Sequence, residues 1–186
     1  DTINVIMATG NEEKVRFIGV DTPESTRRQN EPYGEESSVY TNNRLEGKQV
    51  WLEIDAQERD RYGRLLAYIW MEKPVDNTEE EIRAKMFNAE LLLNGYAQLM
   101  TVPPNVKYVD YFITLQQEAR ANNAGLWGLA REEPGEAYYV GSARSNKYHR
   151  PDCESGKQIT PDNLIKFDTI DDALDAAYEP CRVCSP

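Results

Sequence analysis

The chain has 186 residues, 40% of them hydrophobic and 28% charged, and a formal net charge of -11. That content supports a packed core, excludes global disorder and contains no apolar run long enough to span a membrane. The acidity argues against a protein that coats nucleic acid by passive electrostatics. It leaves room for one that grips a single phosphate with a metal and a few arginines.

The length suits one domain with a small appendage. The first residue is Asp1, and this segment contains no signal peptide. Residues 2–9 and 13–21 alternate as strands on either side of a Gly10-Asn11 turn. The stretch 22–33, with Pro23, Arg27, Arg28 and Pro32, reads as a functional loop. Residues 35–46 predict a helix stopped by Gly47. Gln49 to Ile54 and Leu65 to Trp70 predict two more strands, joined through a polar turn from Glu58 to Gly63. The charged stretch 72–85 reads as an exposed insertion.

Residues 87–94 predict a short helix closed by Gly95. Residues 106–123 predict a longer one, with Tyr108, Phe112, Leu115 and Ala119 at helical spacing and Gly125 as its terminator. Arg131 to Glu136 is polar and holds Pro134 and Gly135, which marks a domain boundary. Strands first and helices after predict an α+β fold around a small antiparallel barrel.

The segment from Val15 to Glu24 carries chemistry. A strand with an arginine, Arg16, ends in Asp21-Thr22-Pro23-Glu24, and a second arginine, Arg64, opens a later strand. A regular strand would put Arg16 on one face with Ile18 and Val20. Phosphodiester cleavage needs an activated water, a cation on the non-bridging oxygens and stabilised transition-state charge. Carboxylates and carbonyls suit a hard cation, a carboxylate can take the proton of the water, and arginine offers a planar fork to phosphate. From residue types alone, surface ion pairs at strand ends remain the ordinary explanation.

Ordered motifs narrow the choice. They are Val15-Arg16 through Asp21-Thr22-Pro23-Glu24, Pro32-Tyr33-Gly34-Glu35-Glu36, Asp60-Arg61-Tyr62-Gly63-Arg64-Leu65-Leu66-Ala67-Tyr68, Asn88-Ala89-Glu90-Leu91-Leu92 with Gly95, and Gly125-Leu126-Trp127. Together they resemble the micrococcal nuclease (thermonuclease) family over nearly all of residues 1–128.

The resemblance implies an OB-type five-stranded β-barrel with helices, whose first strand would precede Asp1 and is missing from this segment. It implies calcium held by Asp1, Asp21 and the Thr22 carbonyl, Glu24 as the residue that orients or deprotonates the water, and Arg16 and Arg64 as the phosphate-binding pair. Asp1-Thr2 aligns with the second half of the family's Asp-Gly-Asp-Thr motif. The family's tyrosines after the glycine turn are replaced by Leu99 to Pro104, so base stacking falls to Tyr62, beside Arg61 in the substrate site, or to Tyr108. The implied substrate is DNA, with RNA as a second candidate, and the implied products carry 3'-phosphate ends. A secreted or cell-surface setting is implied in the same way. A non-catalytic scaffold on the same barrel is the alternative, against which the joint presence of Arg16, Asp21, Glu24 and Arg64 speaks.

All three cysteines lie near the C-terminus with the only histidine: His149 and Cys153, then Cys181 and Cys184. An odd number leaves any disulfide scheme with an orphan, whereas one tetrahedral zinc site uses all four side chains. A module this small also needs such a staple. Residues 138–186 resemble the zinc module at the N-terminus of the Ada DNA-repair protein. The motifs are Tyr139-Val140-Gly141, Lys147 to Cys153, Ala173 to Tyr178 and Glu179-Pro180-Cys181-Arg182-Val183-Cys184. His149 stands where that family has its methyl-accepting cysteine, so phosphotriester repair is not expected. The organisation predicted is a nuclease domain over 1–130, a linker over 131–137 and a small zinc-stabilised α/β module over 138–186.

Overall fold

The computed structural model describes residues 1–26, 29–129, 137–184 and 186. Arg27 and Arg28 of the predicted loop, and 131–136 of the predicted linker, lie outside the described residues. The chain divides into two compact units, Asp1–Leu129 and Ala130–Pro186.

In the first unit, β1 (Thr2–Ile6) runs antiparallel to β2 (Glu12–Phe17), with Thr2 opposite Arg16. The chain then forms β3 (Gly19–Asp21), a minimal hairpin of β4 (Ser25–Thr26) and β5 (Gln29–Asn30), and helix α1 (Gly34–Leu45). Next come β6 (Trp51–Glu53), β7 (Leu65–Trp70), α2 (Glu79–Lys85), α3 (Phe87–Leu93), β8 (Gln98–Met100) and α4 (Val109–Ala121). The sheet order is β1-β2-β7-β6, with β2 parallel to β7, and β3 pairs separately with β8. The fold is OB-type α+β.

The predicted strand over 13–21 breaks in two, and the break positions the site. Ile18 still donates its N–H to the Ala67 carbonyl of β7 at 3.0 Å; the chain then leaves β7 and turns at Gly19, whose φ of +79° is open to glycine and strained for other residues. Beyond the turn, β3 takes β8 as its partner. That break interrupts the regular alternation expected for Arg16, Ile18 and Val20, and Val15 through Ile18 and then Val20 are all buried. Asn88, fully buried, bridges the break: its Nδ2 donates to the Ile18 carbonyl and its Oδ1 accepts from the Ile69 N–H, both at 2.8 Å. A Cβ at Gly19 would come within 2.6 Å of the Phe112 ring. Gly19→Ala therefore combines backbone strain with overpacking, and an expected loss of about 2–4 kcal/mol follows. Urea unfolding followed by tryptophan fluorescence measures it; a loss under about 0.5 kcal/mol would show that the turn relaxes freely.

The charged stretch 72–85 is not wholly an exposed insertion. Its second half is α2, capped by Thr78 Oγ1, which accepts from the Glu81 N–H. Ile82 is 0% exposed. Ion pairs Arg83–Glu79 and Lys85–Glu81 link successive turns. One inward apolar residue anchors a helix that looks solvated by composition. The apolar stripe of α4 is buried as its spacing predicts, from Tyr108 through Phe112 and Leu115 to Ala119.

In the second unit, β9 (Tyr139–Ser142), β10 (Lys147–His149), β11 (Leu164–Phe167) and β12 (Glu179–Pro180) form a sheet in the order β11-β9-β10-β12. Helices α5 (Glu154–Lys157) and α6 (Ile170–Asp175) complete an α/β module. Tyr139, Tyr148, Phe167 and Leu174 make its small core.

Candidate active site and metal centre

Arg16 organises the acidic end of the first unit. It is 7% exposed, and its Nη1 donates to the Phe17 and Val20 carbonyls at 2.8 and 2.7 Å. Its Nη2 meets two carboxylates, Asp21 Oδ1 at 3.0 Å and Asp1 Oδ2 at 3.1 Å. The turn at Gly19 permits this, because it carries Val20 and Asp21 back toward the strand that bears Arg16. The Asp1 nitrogen donates to Thr22 Oγ1 at 3.2 Å, and Thr2 Oγ1 donates to Asp1 Oδ1 at 3.0 Å. Asp1, Asp21 and Thr22 are thus drawn together, with buried guanidinium charge offsetting the two aspartates. Oxygen donors of this kind suit a hard divalent cation.

A cleft of about 510 Å³ opens beside them, and Asp1, Thr22, Glu24 and Arg64 are among its lining residues. Arg64 arrives from the tight turn before β7. Asp60 holds it there: Arg64 Nε donates to Asp60 Oδ2 at 2.7 Å, and the backbone N–H groups of Tyr62 and Arg64 donate to Oδ1. Burial pushes the Asp60 carboxyl up, but these bonds outweigh it and hold it below the usual aspartate value. Arg64 Nη1 reaches Thr2 Oγ1 at 3.3 Å, which ties the second arginine to the segment carrying Asp1.

Arg61 and Tyr62 do not line the cleft but stand next to it through Arg64. Tyr62 is 68% exposed, with the guanidinium of Arg61 4.7 Å and that of Arg64 5.5 Å from its ring centre. Tyr108 is no stacking ring. It is 2% exposed, packs edge-on against Tyr68, and holds its hydroxyl within hydrogen-bond distance of the Glu53 carboxylate and Asn77 Oδ1. The sequence motifs pass over the roles of Asp60 and Asn88, whose partners are set by turn geometry and by contacts distant in sequence.

In the second unit the four donor atoms of His149, Cys153, Cys181 and Cys184 all lie within 4.8 Å of one another. Topology brings them there. Strands β10 and β12 run parallel, with Tyr148 opposite Pro180, so His149 and Cys181 leave the same end of the sheet. Each couple is closed by a turn: the Cys153 N–H donates to the Arg150 carbonyl at 3.1 Å, and the Val183 N–H donates to Cys181 Sγ at 3.4 Å. All three cysteines are free thiols. Tetrahedral zinc sets nitrogen and sulfur ligands about 3.6 Å apart and sulfurs about 3.8 Å apart. Cys153 Sγ and His149 Nδ1 are separated by 3.5 Å, so the four donors fit zinc in type and this pair fits it in spacing.

Comparison with known proteins agrees with both units. The model of the family described as "Staphylococcal nuclease homologue" matches residues 14–128. The model described as "Metal binding domain of Ada" matches residues 130–186. A thermonuclease of Staphylococcus hyicus is 37% identical over 129 residues, which cover 68% of this chain and 69% of that protein. Endonuclease YncB of Bacillus subtilis is 35% identical over 131 residues, covering 68% and 56% of the two chains. Endonuclease YhcR of the same organism is 26% identical over 202 residues, covering 96% of this chain and 16% of its own. The molecule is thus a phosphodiester-cleaving nuclease joined to a zinc-binding module. The chain belongs to the staphylococcal nuclease homologue family.

Proposed function

We propose that residues 1–130 form a calcium-dependent nuclease that hydrolyses phosphodiester bonds of DNA, and of RNA as a second substrate, leaving 3'-phosphate ends. The observation that carries this reading is the convergence of Asp1 and Asp21 on one buried arginine beside a cleft that also holds Glu24 and Arg64. Asp1, Asp21 and the Thr22 carbonyl would hold the calcium, which supplies positive charge to the non-bridging phosphate oxygens. Glu24 orients the attacking water and takes its proton. Arg64 presents two N–H groups to the phosphate, while Arg16 supplies fixed positive charge from behind the aspartates. Tyr62 offers an exposed ring for a base and Arg61 a neighbouring cation. Family resemblance alone supports a secreted or cell-surface setting. Among the described residues, no helix is long and apolar enough to cross a membrane.

The second unit, joined through a linker over 131–137, is a zinc module over 138–186 that targets the enzyme or binds nucleic acid. With His149 in place of the methyl-accepting cysteine, its task is binding and not repair.

Cleavage of a labelled oligonucleotide in calcium, in EGTA and in zinc alone tests the nuclease reading. Removing calcium should lower the rate at least about a hundredfold, since the cation supplies several kcal/mol of charge stabilisation. Re-addition of calcium should restore it, and zinc should not. Products should become extendable by a polymerase only after phosphatase treatment. Undiminished cleavage in EGTA would refute the metal assignment, and no cleavage in any condition would favour the scaffold.

A further inference from the structure

We propose that Glu31 and Gly34 are positioning residues for Glu24, fixing the backbone from which its carboxylate works; this rests on the reading of Glu24 as the residue that handles the water. Glu24 sits at the base of the β4–β5 hairpin, whose register pairs Ser25 with Asn30 and Thr26 with Gln29. The same register sets Glu24 opposite Glu31. The Glu31 N–H donates to the Glu24 carbonyl at 2.8 Å. In an ordinary antiparallel pair the facing backbone carbonyl would provide the acceptor for the return bond from the Glu24 N–H. Here the Glu31 side chain provides it, with Oε2 accepting from the Glu24 N–H at 2.9 Å. One residue thus holds both polar groups of the Glu24 backbone, one of them through a charge-assisted bond.

Gly34 closes the third side. Its N–H donates to the Glu31 carbonyl at 3.0 Å, and it begins α1 on the wall of the same cleft. A Cβ at this position would lie 2.8 Å from the Glu24 carbonyl carbon and closer still to its oxygen, and 3.3 Å from the Pro23 carbonyl oxygen. The helix can approach Glu24 this closely only because residue 34 has no side chain. Its φ is not in the left-handed region, and alanine is the better helix former. Gly34→Ala therefore keeps the helix propensity of α1 and sets a Cβ against the backbone of Glu24. A carboxylate that must reach a water within hydrogen-bond distance loses rate steeply when displaced, by about a hundredfold for 1 Å.

The test uses the full chain with calcium bound and measures kcat, KM and thermal midpoint for Glu31→Ala, Glu31→Gln and Gly34→Ala. Each is made alone and on a Glu24→Gln background. Glu31→Ala and Gly34→Ala should lower kcat about 10- to 100-fold with KM moved less than about threefold. Glu31→Gln should stay within about threefold of the parent, because its amide oxygen still accepts from the Glu24 N–H. On the Glu24→Gln background all three should change kcat less than about twofold, since no carboxylate remains to be positioned. Parental kcat in both Glu31→Ala and Gly34→Ala, with Glu24→Gln impaired, overturns the positioning role alone. Equal losses with and without Glu24 also overturn it, by showing that the two residues act elsewhere. Parental kcat in Glu24→Gln overturns the reading of Glu24 and the positioning role with it.

Discussion

Glu24→Gln should lower kcat by about three orders of magnitude, within the 10²- to 10⁴-fold that a general base contributes. It should leave the unfolding free energy within about 0.5 kcal/mol of the parent, as substitutions away from the packed core do. The amide keeps the size and shape of the carboxylate but cannot take a proton from water. Nothing in the packing should change, because Glu24 is half-buried on a cleft wall and its backbone is held by Glu31 without help from its own side chain. Substrate affinity should move little, since the cation and Arg64 carry the contacts to phosphate. Single-turnover cleavage beside a urea titration separates the two effects. Turnover equal to the parent would sink the assignment, and a fall in stability that tracked the fall in rate would make the carboxylate structural.

Some of this site is legible in the sequence because its parts are local. Asp21, Thr22 and Glu24 lie within four residues, and the helix of Tyr108, Phe112, Leu115 and Ala119 follows from a single period. Local couples joined to one shared metal likewise make His149, Cys153, Cys181 and Cys184 visible, and parallel pairing of β10 with β12 brings the couples together. What escapes is set by contacts between distant parts of the chain. Gly19 lies in the middle of an apolar run, where an isolated glycine signals a bulge; the ring of Phe112 gives the position its constraint. Without that turn, strand alternation assigns Arg16 to the wrong company. Arg64 is identifiable by motif, but its aim depends on Asp60, a neighbour whose role emerges only when the turn closes. Tyr108 illustrates a conflict between two local signals. As an aromatic residue beyond the Gly95 turn it suggests stacking, and as part of an apolar stripe it belongs to the core. Burial decides for the stripe. Ile82 is the reverse case, a single apolar residue among charges whose burial anchors α2.

Cys181→Ser should unfold the second unit selectively. A serine hydroxyl is a poor zinc ligand, and a structural zinc contributes about 10–16 kcal/mol to the folding of small domains. The unit runs from Ala130 to Pro186, a size at which a hydrophobic core alone rarely supplies more than about 3–5 kcal/mol. Its core rests on a few rings, among them Tyr139, Tyr148 and Phe167. Losing one of four ligands should therefore lower bound zinc from one equivalent to below about 0.2 and release the strands that the metal ties together. Hydrogen exchange should report lost protection in β9, β10 and β11 while β2, β7, α3 and α4 keep theirs, because the first unit has its own core around Phe17, Trp70, Phe87 and Phe112. Cleavage of short oligonucleotides should stay within about threefold of the parent, since thiolate ligands select zinc and oxygen ligands select calcium, and the two sites do not compete for one ion. Elemental analysis of parent protein purified without chelator is the first check, and less than about half an equivalent of zinc would count against the site. Retained exchange protection through β9–β11 in Cys181→Ser would show instead that the module's own core suffices. A large loss of cleavage on short substrates would mean that the first unit depends on the second for more than delivery.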